Sequence, residues 1–299
     1  MPISNPIQRT LFPDAEVQMP RVVNVASVPH RSPFRYPGGK TWLIPQVRRW
    51  LRSRFAKPTV LIEAFAGGAI VGLTVAFEDL ASKVILVELD EDVAAVWQTI
   101  LSDDNRWLRD RILNFDLTEP NVRSIVGQKT RSSRDRAFRT LLKNRTFHGG
   151  ILAAGSAPIR AGENGKGIRS RWYPATLARR IREIETVRDR IEFIQGDGIA
   201  VIKKFAKQKQ AAFFIDPPYT AAGKHAGRRL YTHHELDHAR LFATAAKVEG
   251  DVLMTYDNAD DVVTMAMKNG FQTTAIPMKN THHAVMSELL IGHNLDWVM

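Results

Sequence analysis

The chain has 299 residues, 44% of them hydrophobic, which is enough for a large core and excludes a disordered protein. It holds no cysteine, so disulfides and thiolate-bound zinc are excluded, and no apolar run approaches the length that crosses a bilayer. A formal charge of +11 with a pI near 10.0 favours a polyanionic partner, nucleic acid first.

Residues 1–30 carry Pro2, Pro6, Pro13, Pro20 and Pro29 with no apolar period and read as an extended, flexible arm. Phe34-Arg35-Tyr36-Pro37-Gly38-Gly39-Lys40 then sets an aromatic ring, a tight turn and a cation before a helix predicted from Thr41 to about Phe55. A nucleotide-triphosphatase P-loop would need glycine where Phe34 stands and a preceding strand, and it has neither. Short β-branched runs follow at 59–64, 83–88, 191–195, 211–216, 251–256, 271–277 and 285–292. Helical patterns at 69–80, 199–206, 233–248 and 259–269 separate most of them, which predicts an α/β, doubly wound parallel sheet. The last two runs are joined by a short connection at Asn280 and predict an antiparallel hairpin at the sheet's end.

About a hundred residues separate the second and third strands, far more than a crossover needs. The division expected is an arm at 1–30, a catalytic domain at 31–103 and 191–299, and an inserted, mainly helical lobe at 104–190. Both basic runs, 129–145 and 160–182, fall in that lobe, opposed only by Asp135 and Glu163. With the Gly-rich stretch 155–167 they suit a phosphate backbone, so Arg134, Arg136 and Arg139 become candidate nucleic-acid contacts.

In an open sheet of this kind ligands sit at the carboxyl ends of the strands, and the chemically pointed residues fall there. The first strand runs into Ala64-Phe65-Ala66-Gly67-Gly68-Ala69, small residues that let backbone approach a ligand before a helix. Glu88 ends the second strand, with Asp90 just beyond, where a carboxylate would bind the hydroxyls of a ribose. Asp197 follows the third strand and could accept from an adenine amino group. The fourth ends in Asp216-Pro217-Pro218-Tyr219: a carboxylate acceptor, a rigid turn able to aim a carbonyl, and a stacking ring. Two fixed acceptors on an exocyclic amine favour its attack, because positive charge grows on the nitrogen in the transition state.

Together, Tyr-Pro-Gly-Gly-Lys at 36–40, Ala-Phe-Ala-Gly-Gly at 64–68, Glu88, Asp197 and Asp-Pro-Pro-Tyr at 216–219 resemble the Dam-type family of DNA adenine N6-methyltransferases. Lys143-Asn144-Arg145-Thr146-Phe147 is similar to the family's stretch near its DNA-reading elements, and Leu253 to Asn258 to its fifth-strand motif. The resemblance implies a seven-stranded, Rossmann-like methyltransferase sheet, S-adenosylmethionine as methyl donor, no metal, and double-stranded DNA as partner. It places Tyr36 near the donor's sulfonium, Lys40 between donor and target, and Phe65, Ala66 and Gly67 under the methionine part. Glu88 would hold the ribose, Asp197 the donor's adenine, Asp216, Pro217 and Tyr219 the flipped base, and Asn144 and Arg145 would lie with the DNA-reading elements. Two positions depart from the family's pattern: Glu88 where aspartate is common, and Ala64 and Ala69 where proline and glycine are more usual.

These observations lead us to expect a cytoplasmic, bacterial or phage-encoded DNA methyltransferase, monomer or weak dimer, with a companion restriction endonuclease left open. Cytosine-N4 and RNA adenine methyltransferases share similar tetrapeptides and stay open as alternatives, as does a non-catalytic nucleic-acid-binding protein. His234-Glu235-Leu236-Asp237-His238 fits the H-E-x-x-H zinc protease pattern. The extended pattern would require glycine and histidine where Leu241 and Thr244 stand, and Asn258 occupies the other third-ligand position.

Overall fold

The computed structural model describes residues 28–35, 39–130, 132–153, 155–218, 236–279 and 285–298. Among them seven strands form one sheet: β1 (Val60–Glu63), β2 (Lys83–Glu88), β3 (Ile191–Gln195), β4 (Ala211–Ile215), β5 (Asp251–Asp257), β6 (Gln272–Lys279) and β7 (Val285–Gly292). Their spatial order is β3-β2-β1-β4-β5-β7-β6, parallel except for β7, which runs antiparallel to both its neighbours. The chain winds outward from β1 to β3 and then returns to place β4 on the other side of β1. That reversal makes β1 and β4 the topological switch point, beside whose carboxyl ends open α/β sheets bind ligands.

Burial on both faces explains why the strands read as continuous apolar runs. Alternate residues point to opposite sides: Leu61, Leu86, Phe214 and Leu253 join the core on one face, and Ile62, Val87, Phe213 and Met254 that on the other. The first face is covered by α1 (Ile44–Arg52), α2 (Ile70–Phe77) and α3 (Glu91–Ile100), the second by α8 (Gly198–Phe205), α9 (His238–Ala245) and α10 (Asp260–Lys268). Phe213 and Phe214 are almost fully buried on opposite faces, so truncating either to alanine costs about 3–5 kcal/mol.

Helix starts follow local chemistry. Asp90 caps α3 by accepting from Asp92 and Val93 N–H, Asp197 caps α8 through Ile199 N–H, and Asp237 caps α9 through Arg240 N–H. Of the helix expected over 233–248, residues 233–235 lie outside the described residues, and α9 starts at His238, where Asp237 caps it. Likewise α1 stops at Arg52 rather than near Phe55, and Phe55 is fully exposed.

The segment 104–190 is mainly helical, as expected: α4 (Asn105–Leu113), α5 (Glu119–Gly127), α6 (Ser133–Thr146) and α7 (Pro174–Glu185), with short 3-10 turns at Glu163–Gly165 and Gly167–Arg171. Its apolar side chains, among them Leu108, Ile112, Phe138, Leu141, Trp172 and Ile181, are continuous with the core on the α3 side of the sheet. Among the described residues no helix is long and apolar enough to cross a membrane.

Candidate active site

Asp216 follows β4 directly, and Thr255 lies at the matching level of β5, one residue past the Ile215–Met254 pair. That register lets Thr255 Oγ1 donate to Asp216 Oδ1 at 2.8 Å. Lys40, from the segment before α1, brings its Nζ to 3.0 Å from the same oxygen. A third strand contributes: Glu288 on β7, paired with Asp257 in the ladder, sets Oε2 3.5 Å from Lys40 Nζ. Lys40 is only 2% exposed, Glu288 7% and Thr255 not at all. A buried ammonium must be paired, and this one has two carboxylates. Burial pulls Lys40 down, yet Asp216 and Glu288 outweigh it and hold the lysine above its ordinary value, so it is charged.

On the neighbouring strand Glu63 is buried at the end of β1, where Gly72 N–H donates to its Oε2 at 2.7 Å. Burial, reinforced by the Asp216 charge, pushes its carboxyl up to about 8 against the pull of the Gly72 and Val71 N–H groups. A Cβ on Gly72 would meet that oxygen and Leu86 Cδ2 at 2.5 Å, so only glycine lets the carboxylate dock on α2.

The turn after β1 is built as its small residues suggest. Gly67 has φ +47° and Ala69 φ +50°, and Ala69 N–H donates to Ala66 O at 2.6 Å. For glycine that conformation is free, whereas Ala69, at one of the positions that depart from the family, holds it at a cost of about 1–2 kcal/mol. The turn is fixed from both ends: Trp97 Nε1 donates to Gly67 O at 2.9 Å, and Gly67 N–H donates to Glu88 Oε2 at 2.9 Å. Glu88 also accepts from Leu89 N–H and Asp90 N–H through Oε1 at 2.8 and 2.9 Å. Burial holds its carboxyl above the usual range despite these donors, although the residue keeps some exposure at the strand end. The carboxylate thus joins the β2 end to the β1 turn. Asp197 sits at the next strand end, its Oδ1 on Ile199 N–H and its Oδ2 3.8 Å from Arg240. Where α8 begins, Gly198 passes β1 so closely that a Cβ would lie 2.2 Å from Ala64 O.

Lys40, Phe65, Ala66, Gly67, Glu88, Asp197, Asp216 and Pro217 therefore all lie at the carboxyl side of the sheet, on adjoining strand ends or beside them. Tyr36 and Tyr219 lie outside the described residues, as do His234 and Glu235 of the H-E-x-x-H pattern. His238, its last member, faces Tyr256 Oη at 2.9 Å through Nδ1. Among the described residues no group of His, Asp and Glu is arranged to hold a metal ion.

The basic residues of the inserted segment divide in two. Arg134, Arg136 and Arg139 line α6 at partial exposure and face carboxylates: Asp104 at 3.2 Å, Glu91 at 2.5 Å and Asp92 at 2.7 Å. Asn144 and Arg145, expected with the DNA-reading elements, instead turn inward. Asn144 is fully buried, accepts from Arg35 N–H at 2.8 Å, and donates to Arg35 O and Gly150 O at 2.9 and 2.7 Å. Arg145 is 5% exposed and donates to Pro33 O through Nε at 3.1 Å and through Nη2. From α7, Arg180 donates to Ser32 O at 3.0 Å. The inserted helices thus clamp the backbone of 32–35, five residues before Lys40. A short polar side chain one turn from a helix end can serve a ligand or the chain itself, and the amino-acid pattern is the same for both.

Glu288, Glu63, Trp97 and the Asn144 clamp were not assigned roles from the sequence. Glu288 had one signal, a lone carboxylate within the apolar run Val285–Gly292.

No curated protein matches the chain. Among solved structures, the rRNA methyltransferase AviRa of Streptomyces viridochromogenes aligns at 14% identity over 87% of each chain with a TM-score of 0.40. A precorrin-6y C5,15-methyltransferase of Geobacter metallireducens aligns at 10% identity over 83% of this chain and 86% of its own, with a TM-score of 0.34. Likenesses this distant speak to neither substrate nor mechanism. The family model for the D12 class N6 adenine-specific DNA methyltransferases matches residues 36–281, most of the chain, and the protein belongs to that family.

Proposed function

We propose that this methyltransferase transfers a methyl group from S-adenosylmethionine to the N6 amino group of adenine in double-stranded DNA, acting on a base turned out of the helix. The observation that carries the reading is the fixed carboxylate of Asp216, held by Lys40 and Thr255 beside the glycine turn of β1. A preset acceptor at that place stabilises positive charge growing on an attacking amine without reorganising.

The donor, implied by the family, supplies a methyl group already activated on a sulfonium. The residues present fit it: Gly67 turns the backbone at positive φ with no side chain, and Glu88 and Asp197 set carboxylates at adjacent strand ends for hydroxyl and amino groups. We assign Tyr36, Lys40, Phe65, Ala66, Gly67, Glu88 and Asp197 to holding it, and Asp216, Pro217 and Tyr219 to the target base. Stacking on Tyr219 would offset the few kcal/mol that unpairing a base costs. Residues 104–190 act as the DNA-recognition lobe in this reading, with Arg134, Arg136 and Arg139 at phosphates. Asn144 and Arg145 serve by holding 33–35 in place.

Modification-sensitive long-read sequencing of plasmid from cells expressing the chain tests this directly. N6-methyladenine within one sequence motif is expected, and it should vanish with Asp216→Ala. N4-methylcytosine, or methylation confined to RNA, would replace the reading with its nearest rivals.

A further inference from the structure

Glu288 is more than Lys40 requires. One carboxylate neutralises one ammonium, and Asp216 already does so at 3.0 Å, whereas Glu288 stands at 3.5 Å. Its Oε2 is buried and, among the described residues, has no partner beyond the long contact with the Lys40 ammonium. Along β7 its neighbours Leu289, Leu290 and Ile291 are apolar core, and β6 offers it Ile276 across the ladder. Burying a second carboxylate for so little pairing is costly, so packing alone would favour leucine here.

The reaction supplies a use for it. When a primary amine takes on a methyl group, its nitrogen holds one proton more than the neutral product, and that proton must leave. Asp216 is the nearest base but is also the group that positions the amine. Resting on the function proposed above, we infer that Glu288 is the terminal acceptor of this proton, reached from Asp216 through Lys40, and that it thereby restores Asp216 for the next turnover. The N–H bond breaks with its electron pair left on nitrogen, and the proton goes to Asp216. Lys40 gives one of its protons to Glu288 and takes the one on Asp216. At the end the lysine is again an ammonium, Asp216 again a carboxylate, and Glu288 is neutral until it exchanges with water.

The surroundings suit an acceptor near neutrality. Burial, against the pull of Lys40 and with added repulsion from Asp216 and Asp257, pushes the Glu288 carboxyl up to about 7. Among the described residues the charged or titratable groups facing it are Lys40, Asp216 at the β4 end and Asp257 on β5, and the Asp216 charge also acts on Glu63. Glu288 acts through Lys40 and so is a positioning and proton-accepting residue, not one that touches substrate.

The test is single-turnover methylation of adenine-containing duplex at saturating donor, from about pH 5.5 to 8.5, for wild type, Glu288→Gln and Glu288→Asp. The wild-type rate should rise with pH through neutrality. Glu288→Gln should lose that rise and run roughly tenfold or more slower at the upper end, with KM for DNA little changed, and Glu288→Asp should recover part of both. In the ligand-free protein, the protonated-carboxyl infrared absorption near neutral pH should weaken in Glu288→Gln by the Glu288 contribution, while that of Glu63 stays. Wild-type methylation with an unchanged profile in Glu288→Gln overturns the relay and leaves the function standing. No methyl transfer by wild type overturns the function itself. Should the glutamine variant fold poorly, a wild-type rate independent of pH over this range overturns the relay on its own.

Discussion

The side-chain amide of Asn144 pairs with both backbone groups of Arg35, 2.8 Å to its N–H and 2.9 Å to its carbonyl, across 109 residues of sequence. One buried amide thereby does what a strand neighbour would do for the segment leading to Lys40. Gly150 completes the arrangement, because a Cβ there would meet Arg35 O at 2.4 Å. Asn144→Ala should destabilise the protein by about 2–4 kcal/mol, since the three hydrogen bonds of a fully buried amide go. Asn144→Asp should be no better, because its carboxylate would face the Arg35 and Gly150 carbonyls. A denaturant midpoint within error of wild type for the alanine variant would show that the clamp does not matter.

Gly72 offers a change whose sign is decisive. In an exposed helix interior, glycine to alanine stabilises by about 1 kcal/mol. Here the added methyl would collide with Glu63 Oε2 and Leu86 Cδ2, so Gly72→Ala should instead destabilise by about 1–3 kcal/mol. Thermal melting separates the two outcomes, and a raised Tm would refute the docking of Glu63 on α2.

Glu63 gives the stability a pH dependence. Its folded value of about 8 lies above the ordinary 4.5, so the protonated form is favoured by folding. The sign follows from linkage: its contribution is fully present below about pH 4.5 and is lost as pH rises toward 8. Glu63→Gln keeps an acceptor for Gly72 N–H but cannot ionise, so its unfolding free energy should fall less steeply than that of wild type across this window. Parallel curves for the two proteins in urea titrations would contradict the assignment.

Breaking the pair at Lys40 should be costly in a partner-dependent way. Lys40→Met leaves Asp216 and Glu288 facing each other unneutralised, and loss of one member of a buried pair costs about 3–5 kcal/mol. Adding Glu288→Gln should recover part of that loss. Strict additivity in the double-mutant cycle would mean that the two groups do not interact.

For DNA, replacing Arg134, Arg136 and Arg139 together should weaken binding and flatten its salt dependence. A phosphate contact contributes a slope of about 0.9 in B-form DNA. Because Asp104, Glu91 and Asp92 already share these cations, the change should be smaller than three free arginines would give. An unchanged slope in fluorescence-anisotropy titrations would move the DNA interface off this face of α6.

The sheet was legible because buried parallel strands announce themselves: all seven runs were read within a few residues, from Val60–Glu63 to the hairpin of Gln272–Lys279 and Val285–Gly292. Turn chemistry pointed to the candidate site, since a small-residue turn after β1, with Gly67 at positive φ, and Asp216 at the end of β4 lie on adjoining strand ends. Pairings between distant side chains were not legible. Nothing in Leu-Lys-Asn-Arg says that Asn144 and Arg145 will spend their hydrogen bonds on residues 33–35, because the surface or interior fate of a polar side chain is decided by tertiary packing. Glu288 was hidden for the opposite reason: one acid in an apolar strand looks like a solvent-facing edge residue until Lys40 is seen beneath it.

The clamp on residues 32–35 also bears on how such enzymes could be re-engineered. Because Asn144, Arg145 and Arg180 grip the leader that carries Lys40, a chimera that imports a foreign helical insert would import foreign grips too. On the proposed role of residues 104–190 in reading DNA, wholesale exchange of that segment would then demand exchange of the short leader as well, or the graft would arrive with its buried Lys40 adrift.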